Sequence, residues 1–343
     1  NLRVEENLGE GYVRLRVSEA ERRQAKHDIQ HVEDIVIEML RNARDAGADK
    51  VYLATTKEDG VRTLVFLDNG SGVPQDMQER IFDARVTSKL ESMKMDHWGV
   101  HGRGMALFSI KQNTDEARVV ASDVDLGSVF KVSVATDRLG ERADQSSWPQ
   151  AVKDEDGHYV CARGPHNIIR AACEFALEEL RACDVYLGSP SEIAATLHAQ
   201  ASSRLDASRL LFIDDEAELP VVDRLGLASD AEDFIRICSG LGLEMSERTA
   251  HRILAGQIKP VRGVTARLLR ERDSSSHASA PVDLAKDRRG LRIAKDDMAQ
   301  FSRAVERDFN DLAARYYLNL CGDPKIRVSR DRITVTFDLA KEE

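Results

Sequence analysis

No stretch of the 343-residue sequence keeps about 18 apolar residues together, so no membrane-crossing helix is expected. The start, Asn1-Leu2-Arg3-Val4-Glu5-Glu6, lacks the basic and then apolar regions of a secretory signal. Five cysteines (Cys161, Cys173, Cys183, Cys238, Cys321) are scattered, odd in number and without a C-x-x-C pair. That pattern argues against a zinc site or a disulfide framework and fits a reducing, cytoplasmic setting. Gly-x-x-x-x-Gly-Lys-Ser/Thr is absent, which argues against a P-loop, and no internal repeat is visible. Net positive charge is lacking too: the balance of -10 disfavours a protein coated in nucleic acid. What is present is ordinary for a globular chain, with 42% apolar and 31% charged residues and length enough for two or three domains.

Apolar periodicity supplies the elements. Val13–Val17 alternates as a short strand. From Ala20 to Ala46 the pattern is helical, with Ile29, Val32, Val36, Met39, Leu40 and Ala43 on one stripe, and Gly47 ends it. Residues 51–55 and 64–67 read as strands around the turn Glu58-Asp59-Gly60. Polar residues 74–97 lead to Gly99–Gly104, a helix from Met105 to Lys111, and strands near 118–122 and 128–135. The order predicts an α+β sandwich, with helices on one face of a mixed, mainly antiparallel sheet. The polar segment Arg142–Gly164 marks a boundary, so 1–140 is expected as one domain. Residues 141–272 are expected as a helical domain, with helices near 167–183, 190–203, 231–240 and 246–255. After a Ser-rich linker, residues 282–343 are expected to hold a helix from Asp296 to Leu320 and strands at 325–329 and 332–339.

Four segments of the first domain carry candidate chemistry. Glu38, Asn42 and Asp45 (i, i+4, i+7) fall on one helical face, roughly opposite the apolar stripe. The Asn42 amide offers a hard oxygen to Mg²⁺. Glu38, one turn earlier, is placed to deprotonate a water. Asp68-Asn69-Gly70-Ser71-Gly72-Val73 follows a strand, and a buried carboxylate at Asp68 can accept from an exocyclic amine. Gly99-Val100-His101-Gly102-Arg103-Gly104-Met105 precedes a helix and offers N–H groups and dipole to phosphates. Gly127-Ser128 opens a strand whose hydroxyl can support the carboxylate. Each has a plainer reading when taken alone: a solvated helical face, a surface turn, a flexible loop.

In this order and spacing, Glu-x-x-x-Asn-x-x-Asp-Ala, Asp-x-Gly-x-Gly, Gly-x-x-Gly-x-Gly and Gly-Ser resemble the GHKL superfamily over about residues 20–137. Its members include DNA gyrase, the ninety-kilodalton heat-shock chaperones, histidine kinases and MutL, and its fold is the Bergerat sandwich. The resemblance implies Mg-ATP binding and slow hydrolysis, with Glu38 as general base and Asn42 as magnesium ligand. It makes Asp68 the adenine-reading carboxylate. Gly70, Gly72 and Val73 would line the base pocket, and Asp45 would belong to the nucleotide face. Gly99, Val100, His101, Gly102, Arg103, Gly104 and Met105 would hold phosphates at the edge of a lid spanning about 83–103. Ser128 would replace a threonine common in gyrase-like members. Thr87-Ser88-Lys89 resembles the Thr-Ser-Lys of MutL; with Arg103-Gly104 and Glu38, it points to the MutL, topoisomerase VI B-subunit and heat-shock chaperone branch. Lys89 and Arg103 are lid candidates for the cation on the γ-phosphate. Ser71 departs from an arginine frequent in gyrase, so that contact is not carried over. A histidine-kinase pair of helices is not expected with about 20 residues ahead of the first helix, and His27 and His31 read as surface residues.

Residues 247–272 hold seven Lys or Arg (Arg248, Arg252, Lys259, Arg262, Arg267, Arg270, Arg272) against Glu247 and Glu271. Residues 241–254 resemble a helix-turn-helix with a turn two residues too long, in which Thr249 and Arg252 could face a groove. A helical bundle with one basic solvated face is the plainer and preferred reading. Three functions are expected to fit: an ATPase that switches a lid or a homodimer in a DNA-associated or remodelling process, an ATP-sensing DNA-binding regulator, and a kinase acting in trans.

Overall fold

The computed structural model describes residues 4–88, 94–96, 99–101, 104–180, 182–205, 213, 215–269, 298, 301–302, 305–306, 309, 318–320, 324–328 and 333–341. The chain forms two compact units, 1–273 and 274–343.

The first unit opens with strands β1 (Val4–Gly9) and β2 (Tyr12–Leu15). The helix expected over 20–46 is in fact two, α1 (Glu19–Asp28) and α2 (Val32–Asp45). Ser18 caps α1 through a capping box with Glu21. The chain then leaves helical geometry at Ile29 and restarts at His31, where the Asp34 carboxylate accepts the N–H groups of Gln30 and His31 at 2.8 and 2.9 Å. Ile29 is buried in the same core as the α2 stripe, so the apolar periodicity runs on across the break and hides it. Strands β3 (Lys50–Glu58) and β4 (Val61–Asp68) follow, joined by Asp59 and Gly60, both at positive φ as a tight hairpin turn requires. After β5 (Val86–Thr87), β6 (Lys94–Asp96) and β7 (Gly99–His101) come α3 (Ala106–Asn113), β8 (Glu116–Ser122) and β9 (Ser128–Ala135). The unit continues with β10 (Gln150–Lys153), β11 (Tyr159–Arg163), α4 (Ile168–Glu178), β12 (Asp184–Gly188), α5 (Pro190–Arg204), α6 (Ala231–Gly240) and α7 (Glu247–Leu254).

The central sheet has the order β12-β3-β4-β9-β8, with β12 parallel to β3 and the other pairs antiparallel. This is the mixed, mainly antiparallel α+β sheet expected, flanked by helices. One face carries Val51, Leu53, Leu64, Phe66, Phe130 and Val132 against Ile35, Val36, Met39 and Leu40 of α2 and Phe175 of α4. The expectation stopped at one covered face. Tyr52, Ala54, Val65, Leu67 and Val129 of the opposite face pack against Ile193 and Leu197 of α5, Phe234 and Ile237 of α6, and Ala250 and Ile253 of α7. The unbroken apolar runs 51–54 and 64–67 are what two-sided burial demands of a strand.

The boundary expected at 140 falls inside the first unit. The polar stretch beyond it forms the β10–β11 hairpin and is tied back to α2: the Glu33 carboxylate accepts from Arg142 N–H at 3.0 Å and Gln145 Nε2 at 2.6 Å. Strand β12 then joins the sheet itself. In the second unit, β13 (Leu318–Leu320) pairs with β16 (Leu339–Lys341), and β14 (Lys325–Val328) with β15 (Ile333–Thr336). Helix is present at 298, 301–302, 305–306 and 309, but residues 318–320, expected as its end, are a strand. The expected linker at 273–281 lies outside the described residues. No described helix is long and apolar enough to cross a membrane.

Leu40 is wholly buried between α2 and the sheet. Leu40→Ala should lower the unfolding free energy by about 2–5 kcal/mol in a urea titration, through lost burial and the cavity it leaves.

Candidate nucleotide site

The stripe that buries α2 fixes which side chains its other face presents. A cavity of about 700 Å³ is lined by Glu38, Arg41, Asn42 and Asp45 from α2, Asp68 from β4, Gly72 and Val73 from the next turn, Gly104 and Met105 before α3, and Ser128 from β9. Phe66, Phe130, Met39 and Ile81 give it apolar wall, the combination of apolar lining and a few polar groups usual for a small-molecule site.

Asp68 is buried at the end of β4, directly across the ladder from Ser128. Its Oδ2 accepts the Ser128 hydroxyl at 2.8 Å, and its Oδ1 accepts the Gly70 N–H at 2.8 Å. Gly70 is not among the described lining residues; it sits behind the wall, where a β-carbon would lie 2.8 Å from the Ala46 carbonyl oxygen. Gly72 does line the cavity. It has φ +70, and a β-carbon there would stand 1.8 Å from the Asp123 carbonyl oxygen, so no other residue fits. Ser122 was missed in the sequence: its hydroxyl accepts from Val73 N–H and donates to the Gly127 carbonyl, both at 2.8 Å, joining the Asp68 turn to β9. Only the tertiary fold brings these residues together, so no local signal could have found it.

On α2, Arg41 donates from Nη1 to Oε1 of Glu38 at 2.8 Å. Arg41 is buried and was also missed, because attention to the spacing 38, 42, 45 passed over it. The i, i+3 pairing of acid and base was the available signal. Asn42 carries an amide nitrogen that is buried without a hydrogen-bond partner among the described residues. An orphaned amide in a cavity wall is costly, and a polar ligand would satisfy it. Asp45 takes a bond from Arg44 Nε at 3.1 Å, and Arg44 reaches Glu179 at the end of α4 at 3.0 Å. Burial works against the Arg44 charge, but the hydrogen bond to Glu179 and the charge of Asp45 outweigh it and raise its pKa.

The opposite rim comes from residues ahead of α3. Gly104 has its carbonyl held by Arg85 N–H at 2.8 Å, and Arg85 itself stands at φ +60 with its guanidinium paired to Glu21 of α1. Within α3 the first bond of the helical ladder runs from Ser109 N–H to Met105 O, so the N–H groups of Ala106 and Leu107, both lining the cavity, lack helical acceptors. A terminus of this kind presents N–H groups and positive dipole suited to an anion. Thr87 and Ser88 line the cavity too, as does Tyr12, whose hydroxyl pKa burial raises more than its hydrogen bond to Ser88 lowers it.

The expected phosphate loop takes a different form in part. Gly99, Val100 and His101 form strand β7, paired antiparallel with β6, so this backbone is a hairpin and not a loop opening directly into a helix. Lys89, Gly102 and Arg103 lie outside the described residues.

Residues 29–122 match the family described as histidine kinase-, DNA gyrase B-, and HSP90-like ATPase. This segment is similar to the GHKL ATPase family. Among curated relatives, the DNA mismatch repair protein MutL of Staphylococcus aureus strains Newman and JH1 is 35% identical over 98 residues, 28% of this chain. The match spans 14% of the length of each MutL. The GHKL match includes α2, the Asp68 turn and the start of α3, whereas Ser128 and the strands ahead of α1 lie beyond it.

Replacing Ser128 with Ala removes the hydroxyl donated to buried Asp68. Unfolding free energy should fall by about 1–3 kcal/mol, with Ser128→Thr close to wild type in the same denaturant titration.

Proposed function

We propose that the GHKL domain binds Mg-ATP in the cavity beside α2 and hydrolyses it slowly. The observation that carries this reading is the Asp68–Ser128–Gly70 arrangement in a cavity that also holds Glu38 and Asn42. Asp68 uses one oxygen on a hydroxyl and the other on a backbone N–H, which fixes the carboxylate as an acceptor for the exocyclic amine of adenine. The apolar walls at Phe66, Met39 and Val73 suit a flat base. The open N–H groups of α3 suit phosphates at the other end.

Asn42 fits a magnesium site, because it lines the cavity and its neutral amide carries the hard oxygen that Mg²⁺ takes as a ligand. When bound, Mg²⁺ supplies charge neutralisation between phosphate oxygens. Glu38 receives the proton of the attacking water, and its place one turn before Asn42 keeps both groups on one helical face. Closure of the domain over the nucleotide is the step that changes shape or pairs two copies of the chain. Similarity to proteins named for DNA mismatch repair supports a DNA-associated process, as an extension from the matched segment.

Phosphate release from Mg-ATP, with binding titrated in parallel, tests the reading. Glu38→Ala should keep ATP binding and lose turnover by about a hundredfold or more. Asn42→Ala should lose turnover and the magnesium dependence of binding. A wild type that binds ATP yet releases no phosphate, alone or with DNA, would move the assignment to a nucleotide sensor. Label appearing on a partner protein would move it to a kinase.

A second reading, an ATP-responsive DNA-binding surface, is favoured by one observation. Arg248, His251, Arg252, Lys259 and Arg262 are all exposed on and just beyond α7, in a chain of net charge -10. Ser246 caps this helix and engages Thr249 through both its N–H and its hydroxyl, so Thr249 serves the cap, not a groove. Arg267 stacks on Trp148 at 3.9 Å, and Arg270 and Arg272 lie outside the described residues. Duplex DNA affinity should fall steeply with salt, and Arg248→Ala/Arg252→Ala should reduce the slope of log affinity against log salt by about two. A slope left unchanged in a titration from low to physiological salt would remove α7 from the interface.

A further inference from the structure

The cavity poses an electrostatic problem that the residues assigned so far leave unsolved. Its described lining includes four carboxylates, Asp28, Glu38, Asp45 and Asp68, and a single cation, Arg41. A triphosphate entering such a wall needs positive charge close at hand. Arg41 is built into α2 with its side chain 4% exposed, against 22% for its partner Glu38. Desolvating a guanidinium this far is costly, and a rigidly placed planar fork of donors is suited to carboxylate and phosphate oxygens alike. Its Nη1 lies 2.8 Å from the Glu38 carboxylate. Wherever Glu38 meets the reacting phosphate, Arg41 is within reach of it.

The same bond sets a constraint on chemistry. A carboxylate that accepts a charge-assisted hydrogen bond from a guanidinium is a weaker proton acceptor, since protonation would cost that bond. Glu38 therefore has to be released from Arg41 before it can take a proton from water.

We propose that Arg41 reads the terminal phosphate of the nucleotide, exchanging Glu38 for that phosphate when ATP enters. The inference rests on the ATPase reading above and deepens it. With ADP the exchange has no γ-phosphate to act on, and the Glu38–Arg41 pair stays closed. With ATP the guanidinium moves onto the γ-phosphate oxygens, and Glu38 is freed. The water oxygen then bonds to the γ-phosphorus as the bond to the β-phosphate oxygen breaks, the water proton passes to Glu38, and ADP and inorganic phosphate leave. The ion pair is thus a substrate-operated gate on the base.

The test uses the full chain and equilibrium titrations with Mg-ATP and Mg-ADP. The proteins are wild type, Arg41→Lys, Arg41→Met and the double variant Glu38→Gln/Arg41→Met, each checked by thermal unfolding. Arg41→Met should lose about ten- to hundredfold in ATP affinity while ADP affinity stays within about twofold. Arg41→Lys should recover much of the ATP preference, and kcat measured beside it should rise and fall with that preference. The double variant, which leaves no unpaired charge, should fold as well as wild type and still fail to prefer ATP; it decides the matter if Arg41→Met alone unfolds. An unchanged ATP-to-ADP preference in the folded variants overturns the proposal, as does an equal loss for both nucleotides, which would mark a structural role. A wild type that binds both nucleotides but hydrolyses neither would sink the ATPase reading alone, and the affinity ratio would still decide the role of Arg41. A wild type that binds neither would sink both.

Discussion

Helix α2 has to satisfy two environments at once, and the rest of the first unit is arranged around that. Val32, Ile35, Val36, Met39 and Leu40 are fully or nearly fully buried against the sheet. This burial is worth about 1.5–3 kcal/mol for each large side chain, and the five together outweigh any single polar contact in the cavity. It also leaves no freedom of rotation: with the stripe on the sheet, Glu38, Asn42 and Asp45 must face the cavity. The chemistry of the site is therefore held by hydrophobic packing, and the hydrogen bonds within it only refine what the packing has placed.

The polar ties around α2 act on the same constraint from its ends. Glu33 near the start accepts from Arg142 and Gln145, and Arg44 near the end bridges Asp45 and Glu179. Both ties reach residues beyond 140, so the segment after the matched region supports the helix that carries the site. Strand β12 does the same for the sheet by pairing with β3. A domain cut at residue 140 would expose the flank of β3 and strip α2 of its α4 packing, which gives physical content to the single unit over 1–273.

Legibility in the sequence followed the range of the interactions. The α2 stripe, the β3–β4 hairpin and the glycine that ends the helix are local patterns, and each is present where periodicity put it. The two-helix break at Ile29–His31 was hidden, since a buried isoleucine keeps the apolar rhythm while the Asp34 carboxylate resets the chain. Strand β12 was hidden for a different reason. Asp184–Gly188 is short and follows a helix whose pattern runs toward it, and only pairing with β3 reveals it. Of the site, Asp68, Ser128, Glu38 and Asn42 were legible as a spaced set, whereas Arg41 and Ser122 were not. Both act through contacts whose meaning depends on where the cavity lies.

The overall charge of -10 at first argues against a polyanionic ligand, yet the distances involved favour the local groups. At physiological ionic strength exposed charges are screened over about 8 Å, so acidic residues across the surface have little hold on a group inside the cavity. What acts there is unscreened: the guanidinium of Arg41, the open N–H groups of Ala106 and Leu107, and an amide at position 42 where a carboxylate would have added a fifth negative charge to the described wall. The four carboxylates are not passive in this arrangement. Asp68 is tied by Ser128 and Gly70, Asp45 by Arg44, and Glu38 by Arg41, so three of the four have their charge offset by donors outside the ligand. With three of its acids held by donors of their own, the wall is less repulsive to an anion than its count of carboxylates suggests.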